Sequence, residues 1–476
     1  LGPGSAGDLT REAWQILEGA GEVWLRTLHH PVIADLPKDV TLHAFDEVYE
    51  EAETFAEVYT EIARRVLTHA CRDGGVVYAV PGHPLVGEAT VTQILETVRT
   101  SDGGSPTGSD VTVRIVDGLS FIEPSLTALG IDALDGMQVF DALDLLSLHH
   151  PPLNPDLPAF IAQVYSRAVA SQLKLVLMNQ YGDEHPTALI DGAGTSQERI
   201  RHMPLYQIDR EETTPLTTLY VAALPAVTSF EGFQETIARL RSPEGCPWDR
   251  EQTHQTLRTN LLEEAYEVLE AIDLDDPLAL REELGDLLLQ IVLHAQIAVE
   301  MGEFRMTEVI AQIDAKLKRR HPHVWGGLDV ADVDEVVTNW EAIKRRERAD
   351  KGAEERSLLD GIPEALPALA QAAAYADRAS RIGFSQIEAG GSWIDLPERL
   401  AKRVEAWDAD LEAVVGPEGD EGHIWVGDTL LALADWARRH SIDPESALRE
   451  ANQRFAKRFQ VVESVARRQG ISLADL

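Results

Sequence analysis

Up to about Leu224 the chain alternates short apolar runs, rich in β-branched residues and bounded by Gly and Pro, with longer segments of helical spacing. Such alternation predicts strands separated by helices, packed as an α/β layer domain. The runs "GGVVYAVPG" from Gly74, "VTVRIVDG" from Val111, "LKLVLMNQ" from Leu173 and "LTTLYVAAL" from Leu216 are read as strands. The pattern changes between Leu224 and Val227. From Phe230 onward long amphipathic segments dominate, so the remainder is expected to be all-α. A polar stretch, "ADKGAEERS" from Ala349 to Ser357, marks a second break. Three domains follow: 1–224, 225–350 and 357–476.

The two helical parts share an internal likeness. "LGDLLLQIVLHA" from Leu284 parallels "VGDTLLALADWA" from Val426, and "IDAKLKRRH" from Ile313 parallels "ANQRFAKRF" from Ala451, in the same order. An internal duplication is the reading.

Within the first helical part, "NLLEEAYEVLEAIDLDDPLALREELGDLLLQ", Asn260 to Gln290, carries acids at regular spacing. Leu257, Leu261, Leu262, Ala265, Val268, Leu269 and Ile272 form one apolar arc, assigned to the core. Glu263, Glu264, Glu267 and Glu270 occupy the other arc, with Glu264 near the apolar border. Asp276 suits an N-cap and Pro277 the first helical position of the next helix. A connection of about four residues makes the helices antiparallel neighbours. Glu264 with Glu267, and Glu283 with Asp286, can then face one another. Glu283, Asp286, Gln290 and His294 follow a stripe along a second helix that is otherwise apolar nearly all round, which implies deep packing or an oligomer interface.

Two accounts satisfy this spacing. Acids on an amphipathic helix can be a solvated face. Alternatively, carboxylates beside a packed seam are kept ionised by a divalent cation, for which Mg²⁺ suits oxygen ligands best. His294 is read as a satisfied core histidine and Gly285 as a helix-packing residue.

Composition narrows the classes. Among 476 residues, 42 are Lys or Arg and 80 are Asp or Glu, a net charge of −38 that argues against gripping a nucleic-acid polymer or an anionic membrane. Only Cys71 and Cys246 occur, far apart, so neither a disulfide framework nor a cysteine zinc site is suggested. A cytoplasmic location is expected. No uninterrupted apolar run reaches the roughly 18 residues of a membrane span, and "LGPGSAGDLT" lacks the plan of a signal peptide. The chain opens on Leu1 rather than Met, and a trimmed start is expected.

The segment "GCPWDREQTHQTLRTNLLEEAYEVLEAI", followed by "EELGDLLLQIVLHA" and "KLKRRHPHVWG", resembles the MazG family of nucleoside triphosphate pyrophosphohydrolases across about Phe230 to Arg348. The resemblance implies an all-α fold that forms a homodimer and hydrolysis of an NTP to NMP and pyrophosphate with Mg²⁺, for which Mn²⁺ can substitute. By motif position it implies Glu264, Glu267, Glu283 and Asp286 as metal ligands. Glu263, Glu264 and Glu267 become the catalytic carboxylates, Glu263 being a further ligand or a water-orienting base. Lys316 and Arg320, one turn apart, are expected to hold phosphate, with Lys318 and Arg319 alongside. A basic run that caps a helix C-terminus is the plainer account of the latter two. Trp248 and Trp325 are candidates for stacking on a base, or are core. Cys246 is read as packing.

The last part, Ser357 to Leu476, is also similar to MazG, through "LLDGIPEALPALAQAAAYADRASRIGF" and "ALREANQRFAKRF", but its acids depart. Lys402 and Arg403 stand at the adjacent glutamates, Trp425 at a further one, and only Asp428 remains. Cations there repel Mg²⁺, so no independent hydrolase is expected. A role in dimerisation, regulation or substrate gripping through Arg454 and Arg458 is.

"LGPGSAGDLT" and "YAVPGHPLVGEATV" resemble the tetrapyrrole methylase family of SAM-dependent methyltransferases over about the first 222 residues. That likeness implies SAM contacts from Gly2, Gly4, Pro81 and Gly82, at glycine-rich turns where backbone can approach a cofactor. The family's first strand should precede the GPG turn, whereas this chain begins there. Two other functions compete: a SAM-dependent methyltransferase with accessory helices, and a non-catalytic nucleotide-sensing assembly module.

Overall fold

The computed structural model describes residues 1–100, 111–350, 359–380 and 420–469. It divides into two compact units, Leu1–Val309 and Ile310–Leu476. The division falls inside a helix rather than at the change of pattern near Leu224.

The first unit opens with α1 (Arg11–Gly19), β1 (Glu22–Leu25), β2 (Thr41–Ala44), α2 (Asp46–Glu51), α3 (Phe55–Ala70), β3 (Tyr78–Ala79) and α4 (Ala89–Thr100). β1 lies between β2 and β3 and is parallel to both, with Trp24 opposite His43 and Tyr78. The start of α3 is set by a capping box: the Thr54 hydroxyl accepts from the Glu57 amide while the Glu57 carboxylate accepts from the Thr54 amide. Val58, Ile62, Val66 and Leu67 then recur at helical spacing and bury against Phe45 and Ile94.

Next come α5 (Ile122–Leu129), β4 (Gln138–Asp141), α6 (Ala142–Leu146), β5 (Ala159–Ala162), α7 (Arg167–Leu177), β6 (Pro186–Asp191), β7 (Arg199–Pro204) and β8 (Thr217–Val221). Their sheet has the order β4-β5-β8-β6-β7, parallel only between β4 and β5. Two expected strands are corrected. The run from Leu173 is helical, because Ser166 caps the segment and Val169, Ala170, Leu173, Val176 and Leu177 bury at three- and four-residue steps, a period that a strand cannot present to one core. Val111 to Gly118 pairs with no strand among the described residues, although Val111 and Val113 pack on the core beneath α3.

Helices follow: α8 (Phe230–Arg241), α9 (Pro247–Glu251), α10 (Arg258–Asp273), α11 (Pro277–Met301) and α12 (Met306–Arg320), the last crossing into the second unit. The α/β layers are tied to α8 by Asp156, whose carboxylate accepts from the Thr228 and Ser229 amides and both hydroxyls. Beyond α12 lie α13 (Pro322–Trp325), α14 (Val333–Asp350), α15 (Ala368–Ser380), α16 (Asp420–Arg439) and α17 (Pro444–Gln469). α15, α16 and α17 pack on one another. Among the described helices α11 alone is long and apolar enough to cross a membrane. Here it instead buries Val292, Leu293, Ala295 and Ile297 against α8 and the start of α10.

Candidate metal and active site

The geometry begins at the turn between α10 and α11. Asp275 adopts φ +52°, a left-handed conformation that Asp tolerates better than most residues. Asp276 caps α11, its side chain accepting from the Leu278 and Ala279 amides at 3.0 and 3.1 Å, with Pro277 in the first turn. Such a cap contributes about 1 kcal/mol and fixes where the helix starts. The two helices therefore run back to back in opposite directions and pack closely.

That packing collects Glu264 and Glu267 of α10 with Glu283 of α11. One carboxylate oxygen of each lies within 4.8 Å of the other two. Asp286 stands near enough for its charge to act on Glu264 and Glu283. Glu263 is exposed outside this group, though its charge too acts on Glu264. Burial raises the proton affinity of Glu264, and a hydrogen bond with Glu267 and the charges of Asp286, Glu267 and Glu263 raise it further. Glu283 is raised as well, by desolvation and then by Glu267, Asp286, Glu282 and Glu270. Among the described residues no salt bridge offsets the grouped carboxylates.

The donor set fits a hard divalent cation: all oxygen, and mutually repelling without one. Glu264, Glu267 and Glu283 would hold such a cation, which would offset their mutual repulsion.

The apolar arc assigned to the core is only partly there. Leu257 is buried and Leu261, Ala265 and Val268 are half-buried, whereas Leu262, Leu269 and Ile272 are exposed, as are Leu284, Leu288 and Ile291 of α11. Two helices joined by a short turn bury only the faces they share with each other and α8, and the outer apolar faces stay open. Gly285 is on that open side, with nothing within 4 Å of where a Cβ would stand, so no packing neighbour within the described chain explains it.

His294 is not fully satisfied. Its Nδ1 shares a hydrogen bond with His254 Nδ1 at 2.8 Å, but its Nε2 is buried without a partner, as is Oε1 of Gln290 one turn earlier. Trp248 and Trp325 are each 58 % exposed, which rules out the core account of both. Cys246 is half-buried at the start of α9.

The predicted phosphate-holding residues lie on α12, in the second unit. Lys316 is exposed. Arg320 is occupied by Glu347 of α14 at 2.6 Å, with its guanidinium 5.7 Å from the centre of the Trp340 ring. Arg319 reaches the same carboxylate at 2.7 Å, and Glu347 is held down at about 2 by these partners, Arg320 foremost. Lys318 pairs with Asp314 at 3.0 Å. In the C-terminal part Asp428, Arg454 and Arg458 are exposed, and Arg454 pairs with Glu450. Lys402 and Arg403 lie outside the described residues, as does the side chain of Trp425.

At the other end of the chain the two glycine-rich turns meet. Gly2 and Gly82 form an antiparallel bridge, the Gly82 amide donating to the Gly2 carbonyl at 2.8 Å, both with φ +69°. Gly4 has φ +152°, and Gly118 closes on the pair, a Cβ there standing 3.1 Å from the Gly82 carbonyl oxygen. Pro81 is partly exposed beside them.

Sequence reasoning missed Arg241, Glu300 and His254. Their partners lie 40 to 59 residues away, beyond any local periodicity.

Comparison with known proteins agrees with both halves. The MazG nucleotide pyrophosphohydrolase domain matches residues 252–325, and the Tetrapyrrole (Corrin/Porphyrin) Methylases match residues 1–209. The MazG match is found once, so a second such domain is not among these findings. The chain is 39 % identical over 247 residues to nucleoside triphosphate pyrophosphohydrolase/pyrophosphatase MazG of Thermotoga maritima, covering 52 % of this chain and 90 % of that protein. It is 41 % identical over 243 residues to the nucleoside triphosphate pyrophosphohydrolase of Escherichia coli (strain K12), covering 50 % and 88 %. Over 489 aligned residues, all of this chain and 94 % of the relative, it is 37 % identical to the uncharacterized protein YabN of Bacillus subtilis (strain 168). The chain therefore belongs to the family of YabN-like proteins, which join an N-terminal tetrapyrrole methylase domain to a MazG nucleotide pyrophosphohydrolase domain.

Proposed function

We propose that the helices α10 and α11 form the catalytic centre of a Mg²⁺-dependent nucleoside triphosphate pyrophosphohydrolase that converts an NTP and water to NMP and pyrophosphate. The carrying observation is the gathering of Glu264, Glu267 and Glu283 from two helices into one group of oxygens. Their relatives at about 40 % identity over half the chain support the same reading.

Glu264, Glu267, Glu283 and Asp286 are assigned as the residues that would hold the cation. When bound, the cation supplies charge neutralisation for carboxylates and phosphates alike and polarises the phosphate oxygens. The side chains do the rest. Glu264 is proposed as a catalytic carboxylate through its place in this group of oxygens. Glu267, hydrogen-bonded to it, fixes its orientation. Glu263, exposed beside them, is proposed to orient water. Lys316 and Arg320 are proposed as phosphate-binding residues, and Trp248 and Trp325 as stacking surfaces.

A homodimer is proposed through the open apolar faces of α10 and α11, where Leu262, Leu269, Leu284, Leu288 and Ile291 are exposed. The region 357–476 is proposed as a second MazG-like repeat without hydrolytic activity.

The test is a panel of canonical and damaged NTPs assayed with and without Mg²⁺, with Glu264→Gln as control. Release of pyrophosphate that needs both the cation and Glu264 supports the reading. No NMP from any member, or unchanged turnover in Glu264→Gln, removes it.

A second reading concerns the N-terminal domain, favoured by the junction of Gly2, Gly82 and Gly118, where three side-chain-free backbones converge. We propose SAM as its ligand, held along Gly2, Gly4, Pro81 and Gly82. Calorimetry that detects no SAM binding eliminates this.

A further inference from the structure

α12 ends on the cations Lys316, Lys318, Arg319 and Arg320, and of these only Arg320 is drawn in from the surface. Its side chain is 16 % exposed. The Nε and Nη2 edge of the guanidinium lies against Glu347 of α14, with Nη2 2.6 Å from Oε2 and Nε 3.2 and 3.3 Å from the two oxygens. The centre of the Trp340 ring is 5.7 Å from the guanidinium carbon. Arg319 adds its Nε to the same carboxylate at 2.7 Å. Nη1 of Arg320 is then the nitrogen without a partner among the described residues, and its two N–H groups remain for an outside acceptor.

Glu347 is out of keeping with its surroundings in sequence, being the sole acid from Ala342 to Ala349 among Lys344, Arg345, Arg346 and Arg348. A carboxylate there offsets the repulsion between α14 and the basic end of α12, and charge alone accounts for some contact. It does not account for the edge. Side-on pairing through Nε and Nη2 fixes the plane of the guanidinium and turns Nη1 away from the carboxylate, which a contact serving only to neutralise charge does not require. The C-terminal part supplies a contrast. When "ANQRFAKRF" is set against "IDAKLKRRH", Arg458 takes the place of Arg320, yet it is exposed and donates to the Arg454 carbonyl, with no carboxylate on it among the described residues. The part of the chain that has lost the acids lacks the held arginine too.

Resting on the reading above that Arg320 holds phosphate, we propose that Glu347 is a positioning residue that clamps the Arg320 guanidinium side-on, so that Nη1 meets a phosphate of the nucleoside triphosphate already oriented. A long side chain free to rotate gives up that freedom when it closes on an anion, whereas one already clamped gives up little. The gain is tighter phosphate binding. The anions that sense it are the triphosphate substrate and the pyrophosphate product.

The experiment measures KM and kcat for hydrolysis of ATP at saturating Mg²⁺, and inhibition of that hydrolysis by pyrophosphate, in the full-length protein and its Glu347→Gln, Glu347→Asp, Arg320→Lys and Glu347→Gln/Arg320→Lys variants. Glu347→Gln keeps the size of the side chain and loses its charge, and is expected to raise KM about tenfold with kcat little changed. The inhibition constant of pyrophosphate is expected to rise in step. Glu347→Asp should raise both less, and the double variant should be no worse than Arg320→Lys alone. A carboxylate that only glues the two helices would lower the melting temperature on substitution and leave KM and the inhibition constant where they were, and that result overturns the proposal. So do effects of Glu347 and Arg320 that multiply. Should Glu347→Gln fail to fold, an unchanged KM in Glu347→Asp overturns it equally. If Arg320→Lys raises KM while Glu347→Gln does not, the clamp falls and the phosphate role of Arg320 stands; absence of hydrolysis by the unaltered protein removes both.

Discussion

His254 and His294, forty residues apart, meet Nδ1 to Nδ1 at 2.8 Å with their rings stacked at 5.1 Å. Such a bond needs one nitrogen to donate and the other to accept, so the pair holds only while one Nδ1 is unprotonated. Burial lowers the proton affinity of His294, and the neighbouring His254 lowers it further. In the unfolded chain His294 takes up a proton near its ordinary value of about 6.5, whereas the folded protein resists until lower pH. The contribution of this pair to stability is therefore expected to fall as pH drops from about 7 toward 5. The difference in melting temperature between the unaltered protein and His294→Asn should shrink over the same window, and a difference independent of pH contradicts the assignment.

The acid group titrates with the opposite sign. Glu264 and Glu283 bind protons more tightly in the folded protein than in the unfolded chain, where glutamate titrates at about 4.3. Their favourable contribution is full below that value and is lost as pH rises through the raised folded values. Mg²⁺ should reverse this, so the rise in melting temperature on adding Mg²⁺ is expected to be larger at pH 8 than at pH 5. Glu264→Gln should lose most of that rise and reduce pyrophosphate release by more than about a hundredfold. Differential scanning fluorimetry with a pyrophosphate assay measures both.

Leu288, with Leu284 and Ile291, forms part of an apolar face that the described residues leave open. Leu288→Glu is expected to convert a dimer to a monomer by sedimentation while leaving the helical content unchanged by circular dichroism. A monomeric unaltered protein removes the dimer from the account.

Asp156 connects the α/β layers to α8 by accepting from two amides and two hydroxyls. Asp156→Ala should cost about 1–2 kcal/mol in denaturant unfolding at neutral pH, the usual worth of hydrogen bonds lost from a charged acceptor. Hydrogen bonds, that of Ser229 first, hold its carboxyl below the ordinary aspartate value. Its contribution is present above about 3.9 and disappears as pH falls through the lowered folded value.

Local rules fixed a good deal in advance. The cap at Asp276 with Pro277, the short turn that follows α10 and the three-residue spacing of Glu264 with Glu267 and Glu283 with Asp286 are statements about neighbouring residues, and helical geometry alone puts each pair on one side of its own helix. The division between an α/β part and helical parts was legible for the same reason, as a change of hydrophobic period. Tertiary structure decided the rest. Leu173 sits in a helix because its buried partners recur every three or four residues, which a short apolar run does not reveal. Arg241 with Glu300, His254 with His294 and Gly2 with Gly82 are joined across 40 to 80 residues. No spacing along the chain encodes such meetings, since they exist only once separate elements have been packed on one core.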